Sequence, residues 1–192
     1  MNLQDYLASK PFFRARRGIG TESDWLEFCA LDVPSGLLFV FDPGFLPGEL
    51  KGCRASVSSG HFVLSAKIVT YWKDYRVSRL RSCRTGAKPK LGSRVGSVVT
   101  DLGLIGAADH AIYASAWESD RAAFENTVSN EIPESGRYKI ATLGAPPGVP
   151  VPFVESGFGD GRYSVYALVE EEARVGVEVV FIRARTPYPF LR

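Results

Sequence analysis

The sequence has few cysteines and no long hydrophobic run. Its three cysteines, Cys29, Cys53 and Cys83, are odd in number and show no C-x-x-C spacing, so neither a disulfide framework nor a cysteine zinc site is indicated. No stretch of about eighteen apolar residues is present to span a bilayer. The N-terminal charges follow a short apolar patch instead of preceding one, unlike a secretory signal. We therefore expect a soluble, cytoplasmic protein.

Established catalytic and ligand-binding motifs are also lacking. Three glycines surround Asp160 in the stretch ESGFGDGRYSVYALV, but a Walker or dinucleotide loop must open a helix, and here a strand-like run follows. A calcium loop needs several acidic residues at alternating positions, and only Asp160 is offered. The Asp160-Gly161 pair is typical of a tight hairpin turn in which glycine supplies a positive φ. We predict a turn at this point, and no cofactor, metal or catalytic residue.

The residues that are abundant predict a β-rich fold. A chain of 192 residues, 45% of them hydrophobic, is long enough for one well-filled core, and we expect a single domain over residues 1–192. Residues 25–32 and 37–42 are short apolar runs joined at Pro34-Ser35-Gly36, a pattern that predicts a hairpin. Residues 61–72 alternate with period two and return as residues 75–83 after Lys73-Asp74. The charge on that return strand is typical of a sheet edge.

One segment departs from the β pattern. Residues 106–130 are rich in alanine, and Ala108, Ile112, Ser115 and Ala116 have helical spacing. Ser119 is a reasonable N-cap for a second helical stretch. Four more strand candidates follow within residues 137–183. The fold class we predict is α+β: a mainly antiparallel β-sheet or sandwich with one helical segment, at about 106–130, packed against it.

Charge is distributed unevenly along the chain. Residues 51–94 contain eleven Lys and Arg against one acid, whereas residues 95–172 contain four against twelve. This asymmetry predicts either two faces of opposite sign or one patch that neutralises the other. The basic segment, residues 72–94, interleaves arginines with aromatic residues, which is a mixture that binds acidic proteins or nucleic acid. The residues we predict for a partner-binding face are Trp72, Tyr75, Arg76, Arg79, Arg81 and Arg84.

The C-terminal part resembles a known family. GFGDGRYSVYALVEEEARVGVEVVFI is similar to the final hairpin of an uncharacterised bacterial domain of unknown function, which has the form G-x-G-D-G-x-Y-x-V-Y. SSGHFVLSAKIV and VVTDLGLIGAADHAIY are similar to two upstream segments of that family. The resemblance covers about two-thirds of the chain. It implies a bacterial source and a fold, and it implies no activity, because the family has none established.

Three functional hypotheses remain open. The first is a non-enzymatic protein-binding protein, and in its most specific form an immunity protein that neutralises a toxin with an acidic surface. The second is an enzyme or ligand-binding module with a pocket formed by Asp101, Asp109, His110 and Asp160. The third is nucleic-acid binding through residues 72–94. An aspartate that begins a helix is more often a cap than a functional group, which weighs against the second hypothesis.

Overall fold

The computed structural model describes residues 20–43, 52–71, 74–119, 122, 138–143 and 149–183. The elements in these residues are β1 (Thr21–Glu22), β2 (Leu26–Val33), β3 (Leu37–Phe41), β4 (Cys53–Ser56), β5 (Gly60–Tyr71), β6 (Asp74–Arg84), β7 (Lys90–Thr100), β8 (Leu104–Asp109), α1 (His110–Ser119), β9 (Tyr138–Leu143), β10 (Val149–Glu155), β11 (Gly161–Glu170) and β12 (Ala173–Val180). Within these ranges no helix is long and apolar enough to cross a membrane.

The strands form two antiparallel sheets. The first sheet has the order β1-β5-β6-β12-β11-β7, and β2 also pairs with β5, so β1 and β2 follow one another along the same strand. The second sheet has the order β4-β3-β8-β10-β9. The main hydrophobic cluster contains residues of both sheets, for example Leu64 and Val177 from the first and Val40 and Ile105 from the second. The two sheets therefore pack face to face as a sandwich.

Helix α1 covers the outer face of the second sheet. Tyr113 and Ala116 of the helix share a buried cluster with Phe39, Phe41 and Ala108 of β3 and β8. Together the two sheets and the helix form three layers. The predicted fold class, α+β and mainly antiparallel with one helical segment packed on the sheet, is confirmed.

The helical segment begins later than predicted. Residues 106–109 belong to strand β8, and α1 begins only at His110. All six residues of β8 are buried, because the sandwich core lies on one side of this strand and α1 lies on the other. A strand buried on both faces shows no alternation, and its small residues were therefore mistaken for a helix. The prediction continued the helical segment to residue 130. Beyond Ser119, that part of the chain lies outside the described residues, except for Ala122.

The hairpin of β5 and β6 is confirmed, but the position of β6 in the sheet is not the predicted one. Ten residues of β5 are in register with residues of β6, from Phe62 opposite Arg84 to Tyr71 opposite Asp74. Because β6 also pairs with β12, it is an interior strand, and the prediction of an edge strand was wrong. Its arginines therefore cannot serve to discourage edge pairing.

Two predicted hairpins are instead connections between the sheets. Strand β2 pairs with β5 in the first sheet, whereas β3 pairs with β4 and β8 in the second. In the same way β10 belongs to the second sheet and β11 to the first. The turns at residues 34–36 and 156–160 are real, and Gly36, Gly157 and Gly159 adopt positive φ values of 66°, 63° and 106°. The predicted role of the glycines is confirmed, whereas the predicted pairing of the flanking strands is wrong.

A β-bulge in β6 changes the direction of its side chains. Lys67 is opposite Arg79 and Ile68 is opposite Val77, so Ser78 is an extra residue in β6. Val77 points into the sandwich core, whereas Ser78 and Arg79 both contact Glu22 on the outer face. Strict alternation along β6 would place Val77 and Arg79 on one face, and the bulge places them on opposite faces.

Candidate functional site

The outer face of the first sheet carries a cluster of charged side chains around one tryptophan. We call this cluster the arginine face, and it consists of Glu22, Trp25, Lys67, Arg79, Arg81 and Glu178. Lys67 is opposite Arg79 across the β5–β6 pair, and Arg81 is opposite Glu178 across the β6–β12 pair. Side chains directly opposite one another in antiparallel strands lie on the same face of the sheet.

Glu178 is the buried centre of the arginine face. Its side chain is 2% exposed, and it accepts hydrogen bonds from Arg79 Nη1 at 2.7 Å and from Arg81 Nη2 at 2.9 Å. Each carboxylate oxygen takes one arginine, so a single carboxylate bridges both guanidinium groups. Charge-assisted bonds of this length are among the strong hydrogen bonds in proteins. Both arginine side chains are consequently fixed above the sheet.

Glu22 holds the other side of the cluster. Its carboxylate accepts a hydrogen bond from Arg79 Nε at 3.1 Å, from Lys67 Nζ at 3.3 Å and from the Ser78 hydroxyl at 2.7 Å. Burial alone would raise the pKa of Glu22. The hydrogen bond from Ser78 and the charges of Arg79 and Lys67 outweigh burial, and the pKa is lowered from its ordinary value. Glu22 is therefore held as a carboxylate.

Trp25 lies over two of the cations. The guanidinium carbon of Arg81 is 3.9 Å from the centroid of the Trp25 ring, and Lys67 Nζ is 5.4 Å from it. Both distances are in the range of cation–π contacts. Trp25 is the last of the three residues that connect β1 and β2. This connection is anchored at Ser23, which exchanges hydrogen bonds with Ile68. The tryptophan thus fixes Arg81 from above while Glu178 fixes it from the side.

The arginine face has more positive than negative charge. It contains three cations, Lys67, Arg79 and Arg81, and two carboxylates, Glu22 and Glu178. Arg79 bonds through Nε and Nη1, and Arg81 bonds through Nη2. Arg81 Nε is buried and has no hydrogen-bond partner among the described residues. The guanidinium groups keep unused N–H donors, while about a fifth to a quarter of each arginine side chain, 22% and 24%, is exposed.

The predicted partner-binding residues are spread along β6. Arg79 and Arg81 lie together at its centre. Tyr75 packs against the sandwich core, and Arg76 donates to Asp74 at 2.7 Å near the β5–β6 turn. Arg84, at the far end of the strand, is 3.7 Å from Glu170. Trp72 lies outside the described residues.

All four of these arginines therefore have a carboxylate partner. The partner carboxylates of Arg76, Arg79 and Arg81 come from outside the acid-rich residues 95–172, and only Glu170, the partner of Arg84, lies within them. The charge of these arginines is compensated, but mostly by acids other than the predicted acid-rich patch.

The four residues predicted for an acidic pocket are placed at two ends of β8. Asp101 and Asp160 are exposed and lie in adjacent loops, since the first position of β11 is in register with Thr100. Asp109 and His110 are at the other end of β8. The five residue steps of this strand correspond to about 17 Å. The structure thus brings Asp101 near Asp160 and places Asp109 and His110 well away from both.

Asp109 is a structural residue in this fold. It is 2% exposed, and its carboxylate accepts hydrogen bonds from the backbone N–H groups of Ala111 and Ile112 at the start of α1. The same carboxylate accepts bonds from the N–H and the hydroxyl of Ser35, in the turn between β2 and β3. Asp109 is therefore the N-cap of α1 and also fixes the turn that connects the two sheets.

His110 packs edge-on against Phe39, with ring centroids 5.4 Å apart. Burial and the charge of Arg54 lower the pKa of His110, while the nearby Asp109 raises it less strongly. In the described ranges no group of three His, Cys, Asp or Glu side chains is placed to hold a metal ion.

Four members of the arginine face were not identified from the sequence: Glu22, Trp25, Lys67 and Glu178. Glu178 is separated from Arg79 by 99 positions, and only the sheet order brings them together. One signal was present, because Glu178 is the single charged residue in the run VGVEVV. A carboxylate in an otherwise apolar strand needs a buried cationic partner.

Comparison with protein-family models, with curated proteins and with solved structures gives no significant match. The arginine face is consequently the main basis for a functional proposal.

Proposed function

We propose that this protein is a non-enzymatic binding protein and that an acidic partner protein docks on the arginine face. The observation that supports this proposal best is the fixed position of Arg81, stacked on Trp25 at 3.9 Å and bonded to the buried Glu178 at 2.9 Å. The most specific form of the proposal is a bacterial immunity protein that occludes a toxin in the cytoplasm. The resemblance to a bacterial domain of unknown function agrees with that source and adds no activity.

The chemistry of the arginine face suits protein recognition. Tryptophan and arginine are the side chains most enriched among residues that dominate binding energy. Arginine usually loses much rotamer freedom when it binds, and an arginine that is already held loses less. Glu178, Glu22 and Trp25 hold Arg79 and Arg81 in this way. The two arginines keep N–H donors that Glu22 and Glu178 do not use, and such donors favour a partner with an acidic surface.

The alternatives receive less support from the geometry. A pocket of Asp101, Asp109, His110 and Asp160 would need side chains that converge, and two of them are at the opposite end of β8. A nucleic-acid surface would need cations free to contact successive phosphates. Here carboxylates lie between the arginines, and a phosphate backbone would meet Glu22 as well as Arg79.

The test is affinity capture from the native host with nuclease treatment, followed by calorimetry with the purified candidate partner. Trp25→Ala is the test variant, because it removes an aromatic side chain of the arginine face without changing charge. Trp117→Ala is the matched control, since Trp117 belongs to α1 on the other side of the sandwich. We expect one stoichiometric protein whose affinity falls about tenfold or more with Trp25→Ala and stays unchanged with Trp117→Ala.

Two results would contradict the proposal. One is a partner that responds equally to both tryptophan variants, which would place binding elsewhere. The other is retention of the protein on DNA or heparin with a steep salt dependence and no protein partner, which would favour nucleic-acid binding. Charge reversal at Arg79 or Arg81 is unsuitable for this test, because it would place a new carboxylate against the buried Glu178 and destabilise the fold.

A further inference from the structure

The ion-paired residues of the arginine face include three cations and two carboxylates, and Glu27 adds an exposed carboxylate to the same sheet face, opposite Ser65 in the row that leads to Arg81. Three cations face two carboxylates, and all the ion pairs among them lie on the outer side of β1, β5, β6 and β12. Buried N–H donors are nearly always paired in folded proteins, yet Arg81 Nε is not. Arg81 is thus bonded to Glu178 through Nη2 alone among the hydrogen bonds described above.

Glu178 shows how a carboxylate fits between the two arginines. Arg79 and Arg81 are two positions apart on one strand face, which places their backbones about 7 Å apart. The carboxylate of Glu178 spans this gap, with one oxygen on each guanidinium. A second carboxylate that approached from solvent could span the same pair through the N–H groups that Glu22 and Glu178 do not use.

We infer that the arginine face is a seat for one aspartate or glutamate side chain of the partner protein, held between Arg79 and Arg81 beside the ring of Trp25. This inference rests on the proposed function and specifies the chemistry of the contact. Trp25 supplies an apolar surface for the methylene groups of the same side chain.

A phosphate group fits this face less well than a carboxylate. A phosphate monoester carries a charge of about −1.5 to −2 at neutral pH, which is larger than the charge of a carboxylate. The carboxylates of Glu22 and Glu178 would repel a phosphate more strongly than a partner carboxylate, because the phosphate carries the larger negative charge. We therefore favour an acidic protein segment over a phosphorylated or nucleic-acid partner.

The inference can be tested before any partner is known. The probe is a short oligo-glutamate peptide, compared with an oligophosphate of matched charge, at low salt. Binding is followed by the indole N–H resonance of Trp25, which a Trp25→Phe sample identifies. We expect the oligo-glutamate to shift this resonance saturably, and the shift to weaken when salt is added.

Three variants make the test specific. Arg81→Gln should weaken oligo-glutamate binding about tenfold, because it removes a charge-assisted contact. Glu22→Gln keeps the side-chain shape and raises the excess charge, so it should strengthen binding about two- to fivefold. Loss of folding cannot imitate such a gain. Arg162→Gln removes the same charge from an exposed arginine that bonds Ser97, and it should leave binding unchanged.

The outcomes separate this inference from the proposed function. Binding that is indifferent to Arg81→Gln and Glu22→Gln would overturn the carboxylate seat, as would tighter binding of the oligophosphate with the same response to the variants. Suppose that a host partner loses affinity with Trp25→Ala but not with Arg81→Gln. That result would contradict the carboxylate site between the arginines and would still support the proposal of a protein-binding role. Suppose instead that oligo-glutamate binding responds to the variants as expected but no host protein binds. That result would support the carboxylate site and contradict the proposed protein-binding function.

Discussion

The substitution Glu178→Gln should destabilise the protein strongly, although it changes only one atom of the side chain. Glu178 is 2% exposed and bonds two arginines. Removing one partner from a buried ion pair costs about 3–5 kcal/mol, because the other charge is left without compensation. The arginines keep some contact with water, at 22% and 24% exposure, and Arg79 keeps Glu22. We therefore expect the lower end of the range, about 3 kcal/mol.

Equilibrium unfolding in urea measures this effect. With a slope of about 2 kcal/mol per molar urea, a loss of 3 kcal/mol lowers the midpoint by about 1.5 M. Glu27→Gln is the control, because Glu27 is an exposed carboxylate on β2, and its change should stay within about 0.5 kcal/mol. Equal midpoints for Glu178→Gln and wild type would refute the reasoning.

A second variant identifies the physical cause. If the loss comes from uncompensated arginine charge, Glu178→Gln should cost less in a protein that already carries Arg81→Met. The coupling between the two substitutions should be about 1–3 kcal/mol, as is usual for residues in one ionic network. Strict additivity would show that Glu178 acts through packing alone.

Three further predictions concern the rest of the fold. Asp109→Ala should lower the free energy of unfolding by about 2–3 kcal/mol, measured in urea, because the carboxylate caps α1 and accepts four hydrogen bonds in all. Gly176→Ala should prevent stable expression, since the new methyl group would lie 2.9 Å from Cys83 Cα. Gly86→Ala is the control: Gly86 has open space around it and a φ of 78°, so this substitution should lower the free energy of unfolding by only about 1 kcal/mol. Glu22 has a lowered pKa in the folded state, so its contribution to stability is complete above its unfolded value of 4.5 and is lost as the pH falls below it; thermal melts of Glu22→Gln should show a shallower decline than wild type across that acid range.

The sequence predicted local structure better than it predicted sheet membership. Strands β5, β6 and β9 to β12 follow from runs of alternating or continuous apolar residues, and all of them are present. The turn at residues 34–36 is signalled by proline and glycine. A turn signal shows that the chain reverses, but it does not show whether the two flanking strands pair. In this protein β2 and β3 enter different sheets, which only long-range packing determines.

The arginine face could be predicted in part. Arg79 and Arg81 were identified from the density of basic residues, and their neighbours were not. Glu22 and Glu178 approach them from strands 57 and 99 positions away in the sequence. The bulge at Ser78 also reverses the side-chain direction midway through β6, so alternation alone misassigns one face. Which side chains meet across a sheet, and where a bulge occurs, both depend on tertiary structure. A single sequence carries little information on either.

The stability of the fold does not explain why an interior strand carries these arginines. Replacing a buried ionic triad by apolar residues of similar volume is often neutral or stabilising. Here the same exchange at Arg79, Arg81 and Glu178 would remove the ion pairs among them and would leave Glu22 without Arg79. Such a sheet face would lack the unused N–H donors of the two arginines. The recognition of an acidic partner that we propose would give this arrangement a physical purpose that folding alone does not.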